Sequence, residues 1–118
     1  MMIETSANWY TRLNLARQLK ESGNKEQAYL LLRSVSEEED AFYFDKYRYG
    51  TYEDFIVEKT RFLIELALLE LEVVGSAEGS MMYLDDALDL LDGMESVYPY
   101  IRIDEIETLR KTLWALDT

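Results

Sequence analysis

The chain has no cysteine and no histidine among its 118 residues. The first absence excludes disulfides, thiolate nucleophiles and zinc–thiolate sites. The second removes the side chain most often used for general acid–base work, and every His-ligated metal site. Proline occurs once and glycine five times, so little interrupts helical structure except at those positions. No apolar run approaches the ~20 residues needed to cross a bilayer. The N-terminal stretch MMIETSANWY lacks a basic segment followed by an apolar one, so no secretory signal is expected. A cytoplasmic location is the resulting expectation. A chain of 118 residues suits one domain, and can bury ~65% of its unfolded surface without a disulfide or metal.

Bases are scarce and unevenly placed. The formal charge is −12. Residues 1–36 hold five bases and three acids, whereas 37–118 hold seven bases and twenty-one acids. From Phe62 to Ile101 there is no Lys or Arg against nine carboxylates. A field of that sign repels nucleic acid and anionic lipid and favours a basic protein partner. It also serves plain solubility.

Against these absences stands one strong signal, the run FLIELALLELEVV over Phe62 to Val74, in which ten of thirteen residues are apolar. A helix apolar around most of its circumference is a buried one. The run therefore predicts the central helix of an all-α domain, extending from about Tyr52 to Val74 with Thr51 and Asp54 at its start. Ser6 is the expected cap of a first helix reaching about Glu21, with Trp9, Leu13 and Ala16 on its buried face and Leu15 and Leu19 beside it. Asn24 and Gln27 form a capping-box pattern for a second helix to about Val35, buried on Ala28, Leu31, Leu32 and Val35. Ser36 with Glu39 repeats that pattern ahead of a short helix over 37–49, bounded by Gly50. After a break at residues 75–79, Ser80 is the expected cap of a helix to about Glu95, buried on Met81, Leu84, Ala87, Leu88 and Leu91. Pro99 marks the next break. A last helix over 101–116 is expected to bury Ile103, Ile106, Leu109, Leu113 and Trp114. The expected architecture is five or six helices packed as antiparallel hairpins around the central one, over a single domain spanning 1–118.

The first pair of helices carries Leu15-Ala16, Leu19, Gly23, Ala28, Leu32 and Val35. Over residues 12–35 this spacing resembles a tetratricopeptide repeat, in which small residues let two helices approach and a glycine serves the turn. The large aromatic of that pattern is displaced to Trp9–Tyr10 and no proline closes the unit. Leu66-Ala67 and Ala87 repeat the theme over 52–95 with a longer connection. The resemblance implies a protein or peptide partner. An irregular helical bundle is the alternative architecture.

Three groups of residues are candidates for function. Seven of the fifteen aromatics, Phe42, Tyr43, Phe44, Tyr47, Tyr49, Tyr52 and Phe55, fall within fourteen residues. Too many for one helix face, they divide into phenylalanines that plug the core and a surface of Tyr43, Tyr47, Arg48, Tyr49 and Tyr52. Tyr with Arg is the composition of interface hot spots. Exposed tyrosines could equally serve self-association.

Asp85, Asp86, Asp89 and Asp92 share an arc of one helix. The string DDALD resembles the Asp-rich signature of isoprenyl diphosphate synthases, where aspartates hold magnesium. Those enzymes are much larger and need a second such motif, which is not present here. The same ridge spaces its carboxylates by roughly 5–6 Å along the helix. That spacing is compatible with imitating nucleic-acid phosphates or with a carboxylate–magnesium site, and an ordinary solvated face has the same pattern.

Glu58, Glu65 and Glu72 recur every seven residues as a water-facing stripe, and Glu70 lies ~140° away from Glu65 among apolar neighbours. If buried, Glu70 needs a partner, since an unpaired buried carboxylate costs several kcal/mol. Arg12 or Arg17 is the expected one, and a pocket acid binding a basic ligand is the alternative.

The expected function is thus a non-enzymatic protein–protein interaction module, an adaptor, chaperone or regulatory subunit. It would use the Tyr/Arg segment and acidic rims toward a basic partner, with no cofactor, no direct nucleic-acid binding and no membrane association. An acidic mimic of nucleic acid is the second expectation, and a carboxylate–metal enzyme acting on phosphorylated substrates the third.

Overall fold

Glycine and the polar turn residues set the helix limits seen in the computed structural model, which describes residues 9–36 and 51–117. The chain is all-α: every regular element among the described residues is helical. It divides into two compact units, Met1–Tyr43 and Phe44–Thr118. The expected Ser6 cap and the short helix over 37–49 fall outside the described residues.

The first unit is a helical hairpin of α1 (Trp9–Glu21) and α2 (Lys25–Ser36). Its turn is a Schellman motif. The Asn24 N–H donates to the Leu19 carbonyl at 2.7 Å and the Gly23 N–H to that of Lys20 at 3.1 Å. This closure requires a left-handed residue at its fifth position, and Gly23 supplies it with φ 90°. Leu13, Ala16, Ala28, Leu32 and Val35 are buried as expected, whereas Leu15 is exposed. Tyr29 joins the buried set, its hydroxyl accepting from Arg33 Nη1 at 2.8 Å.

The second unit begins with α3 (Tyr52–Leu69). Thr51 caps it, its side chain accepting from the Asp54 N–H at 3.1 Å. Buried residues run around most of its circumference, from Phe55 and Ile56 through Phe62, Leu63 and Leu66 to Leu69. The expected α-helix to Val74 is corrected at its end. Glu70–Val74 form a π-helical turn, closed by the Gly75 N–H on the Glu70 carbonyl at 3.0 Å, with Gly75 left-handed at φ 80°.

α4 spans Ala77–Leu91. Its cap is Ser76, whose side chain accepts from the Gly79 N–H at 2.9 Å, so Ala77, Glu78 and Gly79 are its first turn and not a break. Ser80, the expected cap, is instead fully buried. Its hydroxyl donates to the Ala67 carbonyl at 2.7 Å, tying α4 to α3. Thr60 and Ala67 are seven residues apart on α3, Ser80 and Ala87 seven apart on α4, and all four are fully buried. Small residues at that spacing place one narrow stripe on each helix and let the two backbones approach.

Gly93, at φ 80°, ends α4 near Leu91, earlier than the expected Glu95. A 3₁₀ turn, Glu95–Tyr100, follows with Pro99 inside it. It packs on α3 and α4, while α5 (Ile103–Asp117) packs on α4. α5 buries Ile106 and Leu113 fully, and Ile103 and Leu109 in part. Trp114 is 58% exposed, against expectation, because it lies on the edge of the helix beyond the Ile106–Leu113 stripe. No helix among the described residues is long and apolar enough to cross a membrane.

Candidate functional site

Arg61 and Arg102 are the two bases that bracket the base-free stretch in sequence. Folding brings both to one groove of about 300 Å³. α3 contributes Arg61, Ile64 and Leu68, at positions i, i+3 and i+7 of one helix face. α5 and the residues before it contribute Arg102, Glu105, Ile106 and Leu109 at the same periodicity, with Leu84, Tyr100 and Ile101 completing the lining. The floor is therefore aliphatic and the charge is confined to the rim.

Each rim arginine holds a carboxylate three residues away in the chain. Arg61 Nη1 lies 2.9 Å from Glu58 Oε2, and Arg102 Nη1 lies 2.8 Å from Glu105 Oε1. The hydrogen bond to Glu105, and then its charge, hold the Arg102 guanidinium above its ordinary pKa. Arg102 is nonetheless exposed over most of its side chain, and exposed pairs of this kind are weak and exchange readily. Tyr100, 68% exposed, stands at the same rim.

The aspartate ridge does not remain one surface. Asp85 is clamped by Arg110 of α5, whose Nε donates to Oδ1 and Nη2 to Oδ2, the latter at 3.4 Å. That hydrogen bond, and then the charge behind it, raise the Arg110 pKa. Asp85 and Asp89 border a recess shared with Leu88, Glu107, Arg110 and Lys111. Asp86 feels the charge of Lys59 on α3. Partial burial, and then Asp89 and Asp85, push the Asp86 carboxyl up, while Lys59 works the other way. Burial pulls the Lys59 ammonium down, with Asp86 opposing. Asp92 is exposed at the end of α4. Among the described residues, no group of three or more His, Cys, Asp or Glu is arranged to hold a metal ion.

Tyr52 is half-exposed. Its ring lies 5.9 Å from that of Phe55, which in turn sits 5.9 Å below Lys59 Nζ. The other four residues of the expected partner surface, Tyr43, Tyr47, Arg48 and Tyr49, lie outside the described residues, as do Phe42 and Phe44.

Glu70 is 7% exposed, in agreement with its position away from the glutamate stripe. Its carboxylate packs over the first turn of α4, where a Cβ on Gly79 would stand 2.7 Å from Oε2. It does not line the groove. Arg12 and Arg17 belong to α1 of the first unit. Of the stripe itself, Glu72 is exposed, while Glu58 and Glu65 are half-buried.

The groove residues Arg61, Arg102 and Tyr100 were not among the sequence candidates. The available signal was the pair of bases closing the two ends of the acidic stretch, and only packing shows that those ends meet. Comparison with protein families, with curated proteins and with solved structures returns no match.

Proposed function

We propose that this chain is a non-enzymatic protein–protein interaction module, and that the groove between α3 and α5 is a contact surface. The single observation that carries the reading is an aliphatic floor left open beside an exposed aromatic, Tyr100, and two arginines. Tyr and Arg around a desolvated apolar centre are the residue types that dominate binding energy at protein interfaces. The tetratricopeptide-like spacing of the first hairpin points to the same class of function. The Tyr/Arg segment before α3 is a second contact candidate within this proposal, on its composition alone.

The test is affinity capture at low and high salt with the parent chain and with Tyr100→Ala. A partner that survives high salt and is lost with the variant supports the reading. Identical captured proteins for parent and variant, or none under either condition, overturn it.

A nucleic-acid mimic is the less favoured reading. It needs a row of unengaged carboxylates, whereas Asp85 is held by Arg110 and Asp86 interacts with Lys59. Of the aspartate ridge, Asp89 and Asp92 would then be left to carry the imitation.

A further inference from the structure

We propose that the groove selects a peptide segment of a partner protein in which a bulky apolar side chain lies next to aspartate or glutamate. The inference rests on the interaction-module reading and adds the charge of the ligand to it.

Charge complementarity carries the argument. The chain is strongly acidic, so a carboxylate approaching most of its second unit meets like charge. The groove is different. Arg61 and Arg102 both line it, and Glu105 is its one acidic lining residue among the described residues. Other bases of this unit are engaged across helices: Arg110 of α5 is held through two nitrogens by Asp85 of α4, and Lys59 of α3 interacts with Asp86 of α4. Among the described residues, Arg61 and Arg102 pair instead with glutamates three residues away in the chain, the arginine side chains being 45% and 80% exposed.

The Arg102–Glu105 pair, exposed on both sides, gives up its carboxylate readily. A carboxylate delivered by a bound peptide, with its apolar neighbour seated on the Leu68 side of the groove, gains the guanidinium in a partly desolvated setting where the bond is stronger. The long-range repulsion from the rest of the chain is screened beyond ~8 Å at physiological salt. The volume agrees with a side-chain anchor: about 300 Å³ is the lower end of the ~300–1,000 Å³ typical of small-molecule pockets.

The experiment measures fluorescence anisotropy of three labelled synthetic peptides that share a Leu-Trp centre and carry glutamate, glutamine or lysine flanks. The full chain is used, with dodecanoate as a competitor. The glutamate peptide is expected to bind about tenfold more tightly than the lysine peptide at low salt, and to lose that advantage at high salt. Arg61→Gln and Arg102→Gln, both at exposed positions, should each weaken it by about three- to tenfold. Glu105→Gln should strengthen it severalfold by releasing Arg102, a gain that damage to the fold would not produce.

Equal binding of the three peptides, or indifference to both Arg102→Gln and Glu105→Gln, overturns the charge selection and leaves the interaction reading standing. So does a Tyr100-dependent captured partner when no peptide binds. Binding of dodecanoate without any peptide assigns the groove to an acyl carboxylate, and the proposal fails. No peptide binding together with no Tyr100-dependent partner removes both readings.

Discussion

Replacing Gly79 by alanine tests the burial of Glu70 against α4. The new Cβ would stand 2.7 Å from Glu70 Oε2, 3.0 Å from Cδ and 3.1 Å from Cγ. Two effects of opposite sign compete. Gly79 is helical, so alanine gains up to ~1 kcal/mol of helix propensity. Against this, forcing a methyl into occupied space costs ~1–3 kcal/mol when the neighbour has nowhere to go. The Glu70 side chain is flexible in principle, but only 7% of the residue is exposed. The steric cost should win, with a net loss of about 1 kcal/mol. Urea unfolding at an unchanged slope measures it.

Two further backgrounds separate the causes. In Glu70→Ala the crowding atoms are gone, so Gly79→Ala should turn stabilising, by up to ~1 kcal/mol. In Glu70→Gln the shape is kept and the charge removed, so the cost should persist. The expected coupling between positions 70 and 79 is thus about 2 kcal/mol, within the range for residues in contact. A Gly79→Ala change that stabilises equally in all three backgrounds would refute the packing.

Thr60 is fully buried, and its hydroxyl has no hydrogen-bond partner among the described residues. Thr60→Val should leave stability unchanged or raise it by up to ~1 kcal/mol, whereas Thr60→Ser should cost about 1 kcal/mol for the lost methyl. Equal losses in urea unfolding would mean that the hydroxyl is satisfied. At the start of α4, Ser76→Ala should cost about 1 kcal/mol and Ser76→Gly only a few tenths. Ser80→Gly should cost more than Ser76→Gly, since it removes the bond to Ala67 from inside the helix; the reverse order would return the cap to Ser80. Asp86 has a raised pKa in the folded chain, so the unfolded chain releases that proton first. Its contribution to stability therefore falls as pH rises from about the ordinary 3.8 through the raised folded value. The stability difference between Asp86→Asn and the parent should shift in the variant's favour across that window. A difference that stays flat with pH would contradict the assignment.

Much of the helical framework is legible in the residues alone, because periodicity, caps and glycines act over a few residues. The Thr51 cap, the Gly23 turn and the burial of α3 all follow from neighbours in the chain. Ser76 and Ser80 show where this stops. Both precede plausible helical sequence, and the choice between them depends on Ala67, which offers Ser80 a buried acceptor thirteen residues away. The aspartate row likewise reads as one face of a helix, yet its division into an Asp85–Arg110 clamp and an Asp86–Lys59 interaction needs the packing of α5 and α3 on α4.

Sequence alone therefore determined that this protein is all-α, strongly acidic, free of thiol and imidazole chemistry, and provided with a long buried helix from about Tyr52 onward. Those properties are sums over composition or patterns with the period of a single helix. Tertiary structure alone decided that Arg61 and Arg102, at opposite ends of the base-free stretch, border one aliphatic groove. No local rule carries that information, because the distance between two helix faces is set by how their side chains pack and not by their separation along the chain.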